Sequence, residues 1–205
     1  MKNILVIGSG GHANSCIDVL LSTKKFKILG VILKDKKTIN KTQIKKTFLS
    51  ANLKKLTKKC KNAHISIGMI KNYQPRLKAY NEAKKLGYKF PIIISSESYV
   101  SNSSKLAEGI IVMHGSIINT NVIIKENSII NTRALIEHDV KIGRNCHIST
   151  GAIINGGSKI GDNTFIGSGA IVSNNIIIGK NCLISAGSFI KRNLSNNTIY
   201  KYEKK

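Results

Sequence analysis

Two of the six acidic residues in the second half of the chain flank one histidine, in the run Glu137-His138-Asp139. That grouping suits general base chemistry. A neighbouring carboxylate fixes the imidazole tautomer, raises its basicity and stabilises the imidazolium that forms on proton transfer. A base so placed supplies roughly 10²–10⁴-fold of rate. The competing reading of the trio is a surface histidine on a strand turn with solvated neighbours. His147 lies nine residues on, His114 stands by itself two places after Val112 and reads as a surface residue, and His64 reads as the boundary of a buried strand. The three histidines of the second half are spaced 24 and 9 apart, which does not fit a zinc-ligating set, and no metal is expected.

A second chemical signal sits at the other end of the chain. Residues 3–8 (NILVIG) form a short apolar run ending in glycine, followed by Ser9-Gly10-Gly11-His12-Ala13 and a helical pattern through Ile17, Leu20 and Leu21. Strand, glycine-rich turn and helix in that order can cradle phosphate on helix N-terminal amides. Ala13 takes the third glycine slot, and Asp35 stands near the place where an acid would meet a ribose, with Lys34 before it and Lys36 after it.

These groups need a scaffold, and the sequence specifies two. Sixteen aliphatic residues recur every six positions from Val100 through Ile136, Ile142 and Ile148 to Ile190. Neither the 3.6 period of a helix nor the 2 of a lone strand accounts for a strict six; a prism of short parallel strands does. Four places after each aliphatic stands a mostly small residue (Ser104, Ser116, Ser128, Ala134, Cys146, Ala152), with Ile110 and Ile176 among the bulky exceptions. This pattern is a parallel β-helix over residues 98–192, followed by a tail, 193–205.

Residues 1–97 alternate strands and helices. Strands are expected at 3–8, 28–33 and 63–68, with helices after the glycine turn, around 49–59 and over 73–86. That order implies a small Rossmann-like α/β domain. So small a unit lacks a second mononucleotide half, which argues against a nicotinamide redox enzyme.

Bulk properties exclude several classes. The net charge of +23 belongs mostly to residues 1–97, which hold 21 Lys/Arg against four acids. The densest stretch, Lys34 to Lys61, has eleven lysines, no arginine and one aromatic, Phe48. Nucleic-acid surfaces mix arginine and aromatics with lysine, so the charge reads as solvated surface and no nucleic-acid partner is expected. No stretch approaches the roughly 18 apolar residues of a membrane span. The apolar run after Met1-Lys2 stops at Gly8, too soon for a signal peptide. Four cysteines without paired spacing read as reduced thiols in a cytoplasmic protein.

GSGGHA at the N-terminus, the strand ending SIG at 66–68, the unbroken hexapeptides and IEHDVKIGRNCHIS at 136–149 together resemble the NeuD/PglD-type sugar acetyltransferases. The resemblance covers nearly the whole chain. It implies a left-handed β-helix, acetyl-CoA as cosubstrate and a homotrimer with sites between adjacent β-helices. It implies His138 as the base that deprotonates an acceptor amine or hydroxyl, with Asp139, often Glu in the family, supporting it beside Glu137. His147 would line the acetyl-CoA channel, with Ser168 and Ala186 on later coils near CoA. Gly10, Gly11 and His12 would meet a nucleotide diphosphate, with Asp35 and Gly68 nearer the nucleoside. The implied activity is N-acetylation of a nucleotide-activated amino sugar, of the UDP-4-amino-sugar kind, in bacterial surface glycan synthesis. O-acetylation of a sialic-acid-type sugar and a non-catalytic nucleotide-sugar-binding scaffold are the alternatives. Three places depart from the family: Lys34, Met69-Ile70, and a C-terminus without the usual Gly-x-Pro-Ala-Lys.

Overall fold

The computed structural model describes residues 1–70 and 72–201. The N-terminal unit begins with β1 (Lys2–Ile7), whose last four residues are buried, as a continuous apolar run requires. α1 (Gly11–Ser22) follows and buries Ala13, Cys16, Ile17, Val19 and Leu20. β2 (Phe26–Leu33) returns parallel to β1. β3 (Thr47–Leu49) adds to β2, and β4 (Ala63–Ile65) pairs with β1, giving a parallel sheet in the order β3-β2-β1-β4. α3 (Gln74–Lys85) has Pro75 in its first turn, where a missing N–H costs nothing.

Two expectations change here. The helix expected over 49–59 is confined to a 3-10 turn, Ser50–Asn52, and the single turn α2 (Leu53–Leu56). Apart from Ala51, only Leu53 and Leu56 between Leu49 and Lys59 are apolar, which is one turn's worth of burial. His64 is not a boundary residue. It lies inside β4, fully buried, and neither ring nitrogen has a partner among the described residues.

The second unit is a left-handed β-helix. Two-residue strands run from Ile93–Ile94 to Ile199–Tyr200 and stack at intervals of about one coil into three parallel sheets. The six-fold aliphatic column points inward, and Ala134, Cys146, Ala152 and Cys182 pack beside it. All four cysteines are free and buried. Corners are turned by left-handed residues, among them Asn121 (φ 60°), Asn127 (58°), Asp139 (61°) and Asn145 (51°). At one corner Asn127, Asn145, Asn163, Asn181 and Asn197 form a ladder, each Nδ2 donating to the next Oδ1 at 2.9–3.0 Å.

The outward residues give each face its own chemistry. The first face carries Ile93, Ile111, Ile129, His147, Phe165, Leu183 and Ile199 in register. The second carries Tyr99, Ile117, Leu135, Ile153, Ile171 and Phe189. The third carries Lys105, Ile123, Lys141, Lys159 and Ile177.

The two units share a core. Ile93, Ile111 and Ile129 of the first face are buried together with Ile4, Val6, Ile17 and Leu20. His114 does not stand alone on the surface. Its Nε2–H donates to Asp18 of α1 at 3.0 Å, and the Ser95 hydroxyl donates to its Nδ1 at 2.6 Å, so it pins the units together. Among the described residues no helix is long and apolar enough to cross a membrane.

Candidate active site

The strand Leu135–Ile136 ends at the corner formed by His138 and Asp139. Because Asp139 adopts the left-handed conformation, its short side chain turns back beside the preceding residue. Asp139 Oδ2 lies 2.8 Å from His138 Nδ1. A carboxylate only accepts, so Nδ1 carries the proton and Nε2 presents a lone pair. Hydrogen bonds from His138 and then Asn121 hold the Asp139 carboxyl below its ordinary value. Glu137 approaches only the backbone N–H of His138, at 3.4 Å, and leaves the imidazole to Asp139. The ring lies against Gly156 of the next coil: a Cβ there would stand 2.6 Å from Nε2. Both His138 and Asp139 are more than half exposed.

A separate pocket of about 750 Å³ opens where the N-terminal unit stops covering the first face. His147 stands at its inner end. Its Nδ1–H donates to the Met69 carbonyl at 2.6 Å, and its Nε2 accepts from Asn131 Nδ2 at 3.1 Å. Asn131 Oδ1 in turn accepts the Thr132 N–H at 2.8 Å, which sets the side-chain amide's orientation. Burial, chiefly, pushes the imidazole down to about 4, so it is neutral at physiological pH. His12 faces it with ring centroids 6.0 Å apart. Burial, then the charge of Arg76, pushes His12 down to about 3. Phe165 meets His147 edge-on at 5.2 Å and, with Leu183 and Ile199, makes an apolar wall.

The sequence-derived residues therefore fall into groups. His147, Ser168, Ala186, His12 and Gly68 line the pocket. Ser168 and Ser149 hydroxyls lie 2.9 Å apart within it. Gly10 and Gly11 sit at the N-terminus of α1, where no side chain caps the helix and no acid occupies the first turn. Gly8, just before them, adopts φ +121°, and a Cβ there would stand 2.9 Å from Ile67 Cγ1 and 3.0 Å from Ser66. Asp35 follows β2 and accepts from the Lys37 N–H and the Thr38 hydroxyl. In a parallel sheet the ends of β1, β2 and β4 share one edge, so the glycine turn, Asp35 and Gly68 gather there. His138, Asp139 and Glu137 lie outside the His147 pocket, on another corner of the prism.

Sequence reasoning missed Asn131, Phe165 and Arg76. Asn131, Ser149, Gly167 and Ser185 occupy one column at a stride of 18, as do Ile129, His147, Phe165 and Leu183, so reading by the coil rather than by the hexapeptide would have found the pocket. Arg76 is the lone arginine among the 21 basic residues of positions 1–97. It is fully buried, and its guanidinium bonds the carbonyls of Ile65, Ile67 and Asn127. It thereby ties the end of β4 to the β-helix.

Residues 3–83 match the PglD N-terminal domain, and residues 121–156 and 157–192 match the bacterial transferase hexapeptide repeats. The chain thus carries both modules of the PglD/NeuD type of sugar acetyltransferases, the PglD N-terminal domain and the hexapeptide repeats. Among solved structures, PerB of Caulobacter crescentus, in complex with CoA and GDP-perosamine, is 27% identical with a TM-score of 0.86. That match covers 96% of this chain and 92% of PerB. A variant of the perosamine N-acetyltransferase from the same organism, also with CoA and GDP-perosamine, is 26% identical with a TM-score of 0.85, over 96% of this chain and 91% of that one. The acetyltransferase domain of PglB from Neisseria gonorrhoeae FA1090 shares the fold at 24% identity and a TM-score of 0.86, over 96% and 95% of the two chains. No curated protein matches the sequence. The His138–Asp139 corner lies within the first matched run of hexapeptides.

Proposed function

We propose that this enzyme N-acetylates a nucleotide-activated amino sugar with acetyl-CoA as donor and His138 as general base. The observation that carries the reading is the anchored imidazole. Asp139 holds Nδ1–H, which leaves Nε2 exposed as a lone pair, in a chain 27% identical over nearly its full length to PerB with CoA and GDP-perosamine. Nε2 takes a proton from the acceptor amine as its nitrogen attacks the thioester carbonyl. The tetrahedral adduct then expels the CoA sulfur, which recovers that proton from the imidazolium. Asp139 stabilises the imidazolium between these steps.

The pocket residues suit the cosubstrate. Phe165, Leu183 and Ile199 offer an apolar wall for the pantetheine chain, Ser168 and Ala186 border it, and Lys201 adds a cation for phosphate. Uncapped amides at Gly11 and His12 suit the nucleotide diphosphate, with Asp35 and Gly68 near the nucleoside. The same reading includes a homotrimer. The second face exposes an unbroken apolar ladder, Tyr99 to Phe189, beside the corner that bears His138. A second copy on that face would bring the base towards a neighbouring His147 pocket. A cytoplasmic site of action accords with acetyl-CoA and sugar nucleotides as the substrates of this reading.

The test is release of CoA thiol from acetyl-CoA with UDP-4-amino sugars, GDP-4-amino sugars and free sialic-type acids, using wild type and His138→Ala. Turnover restricted to a nucleotide amino sugar and lost in the variant supports the proposal. Turnover only with the free acid makes the enzyme an O-acetyltransferase, and none with any acceptor leaves a binding module.

A further inference from the structure

At the Asp139 corner the coil-to-coil ladder changes character. The corner positions in sequence are Asn121, Asp139, Gly157 and Asn175, one coil of 18 residues apart. On the neighbouring corner the asparagines continue amide to amide without a break, so each side chain is held by the coils before and after it. Here the rung after Asp139 is Gly157, which has no side chain to offer. Asp139 Oδ1 accepts from Asn121 Nδ2 at 3.2 Å, and the oxygen that a further rung would have engaged, Oδ2, faces His138 Nδ1 at 2.8 Å. Both Asn121 and Asp139 are left-handed, φ 60° and 61°, so the two side chains leave the corner in parallel.

We propose that Asn121 is a positioning residue for the acetyl transfer, holding the Asp139 carboxylate in the rotamer that orients His138. The proposal rests on His138 being the base. An aspartate has one methylene fewer than a glutamate and so reaches the imidazole from a single orientation. At an exposed corner hydrogen bonds keep it there, and besides the bond to His138 itself the Asn121 amide supplies one to the other carboxylate oxygen. The Asn121 backbone N–H is itself anchored, on the Ser103 hydroxyl at 3.0 Å, so the relay starts from a fixed point one coil earlier.

The experiment is a double-mutant cycle on the full chain. Asn121→Gly removes the amide and keeps the left-handed backbone without strain. In the wild-type background it is expected to lower kcat about 3- to 10-fold. The KM for both substrates and the thermal midpoint should stay at wild-type values. In an Asp139→Asn background the same substitution is expected to change kcat little, because the carboxylate it orients is gone. An equal loss in both backgrounds, or no loss in either, overturns the proposal. His138→Ala, assayed beside them, separates the two layers. If His138→Ala keeps its turnover, the base assignment fails and takes the Asn121 role with it. If turnover is lost while Asn121→Gly is silent or additive, the Asn121 role alone fails.

Discussion

The Nδ1–H of His147 donates to the carbonyl oxygen of Met69 across 2.6 Å, so a side chain of the β-helix holds the loop that leaves β4. The bond also fixes the tautomer. With Nδ1 protonated and Nε2 accepting from Asn131, the neutral ring turns no N–H towards the pocket, and the amide of Asn131 is the polar donor beside it. His147 therefore acts first as the latch between two units. The His12 ring that faces it comes from the glycine-turn helix, so the pocket exists only when both units are in place.

Stability should fall steeply below neutral pH. Burial holds His12 near 3, His147 near 4 and His64 well below its ordinary value, so all three are neutral when folded. The unfolded chain binds those protons below about 6.5, so the stability is fully present above that pH and is lost as pH falls towards 4. Three such groups give at most about 4 kcal/mol of loss between pH 7.5 and 5.5. Urea unfolding at the two pH values measures it, and equal stability at both would contradict the burial argument. His64→Leu removes two unpartnered buried nitrogens and is expected to cut the pH-dependent loss by about a third.

Gly156→Ala should impair turnover without loosening the fold. The glycine has no left-handed φ, so the backbone accepts alanine, but the new Cβ would stand 2.6 Å from His138 Nε2. The ring can escape only by swinging outward, away from Asp139. A kcat about 10-fold lower with an unchanged thermal midpoint is the expected result. Wild-type kcat in this variant would mean that the ring position over Gly156 is irrelevant to the reaction.

Much of this was legible in the sequence, for a physical reason. A solenoid repeats one local solution, so the six-residue period shows directly which residues point inward, and the His138–Asp139 pair lies within one corner. The glycine turn was legible because strand, glycines and helix follow one another directly in the chain, from Ile7 to Gly11. Contacts between the units were not. His114 reaches Asp18 across 96 positions and His147 reaches Met69 across 78, and no local pattern encodes either. β3 was hidden because three residues, Thr47–Leu49, carry too little periodicity to stand out from a lysine-rich stretch.

Arg76 should prove indispensable to the junction. Its planar guanidinium meets carbonyls of Ile65, Ile67 and Asn127 from a fully buried position, with Nη2 left over. A lysine ammonium cannot span the same three acceptors, so Arg76→Lys leaves at least one buried carbonyl unpaired. The expected cost is about 2–4 kcal/mol in urea unfolding. An unchanged midpoint would show that the clamp adds nothing to the union of the two units.

The second face gives the test of assembly. Ile117, Ile171 and Phe189 are 42%, 36% and 50% exposed, and they continue a ladder through Leu135 and Ile153 that includes no charged residue. Left in water, such a stripe is a standing cost, and a symmetric copy of the same chain would remove it. Ile153→Glu places a charge at the centre of the stripe, on a side chain that points away from the chain's own core. It is therefore expected to yield a folded monomer by light scattering, with the circular dichroism of wild type. Lys159→Glu, on the third face, is the matched control and should stay trimeric. A wild-type chain that is itself monomeric, or an Ile153→Glu variant that still trimerises, would remove the second face as the interface. The site would then have to be complete within one chain, which the separation of His138 from the His147 pocket argues against.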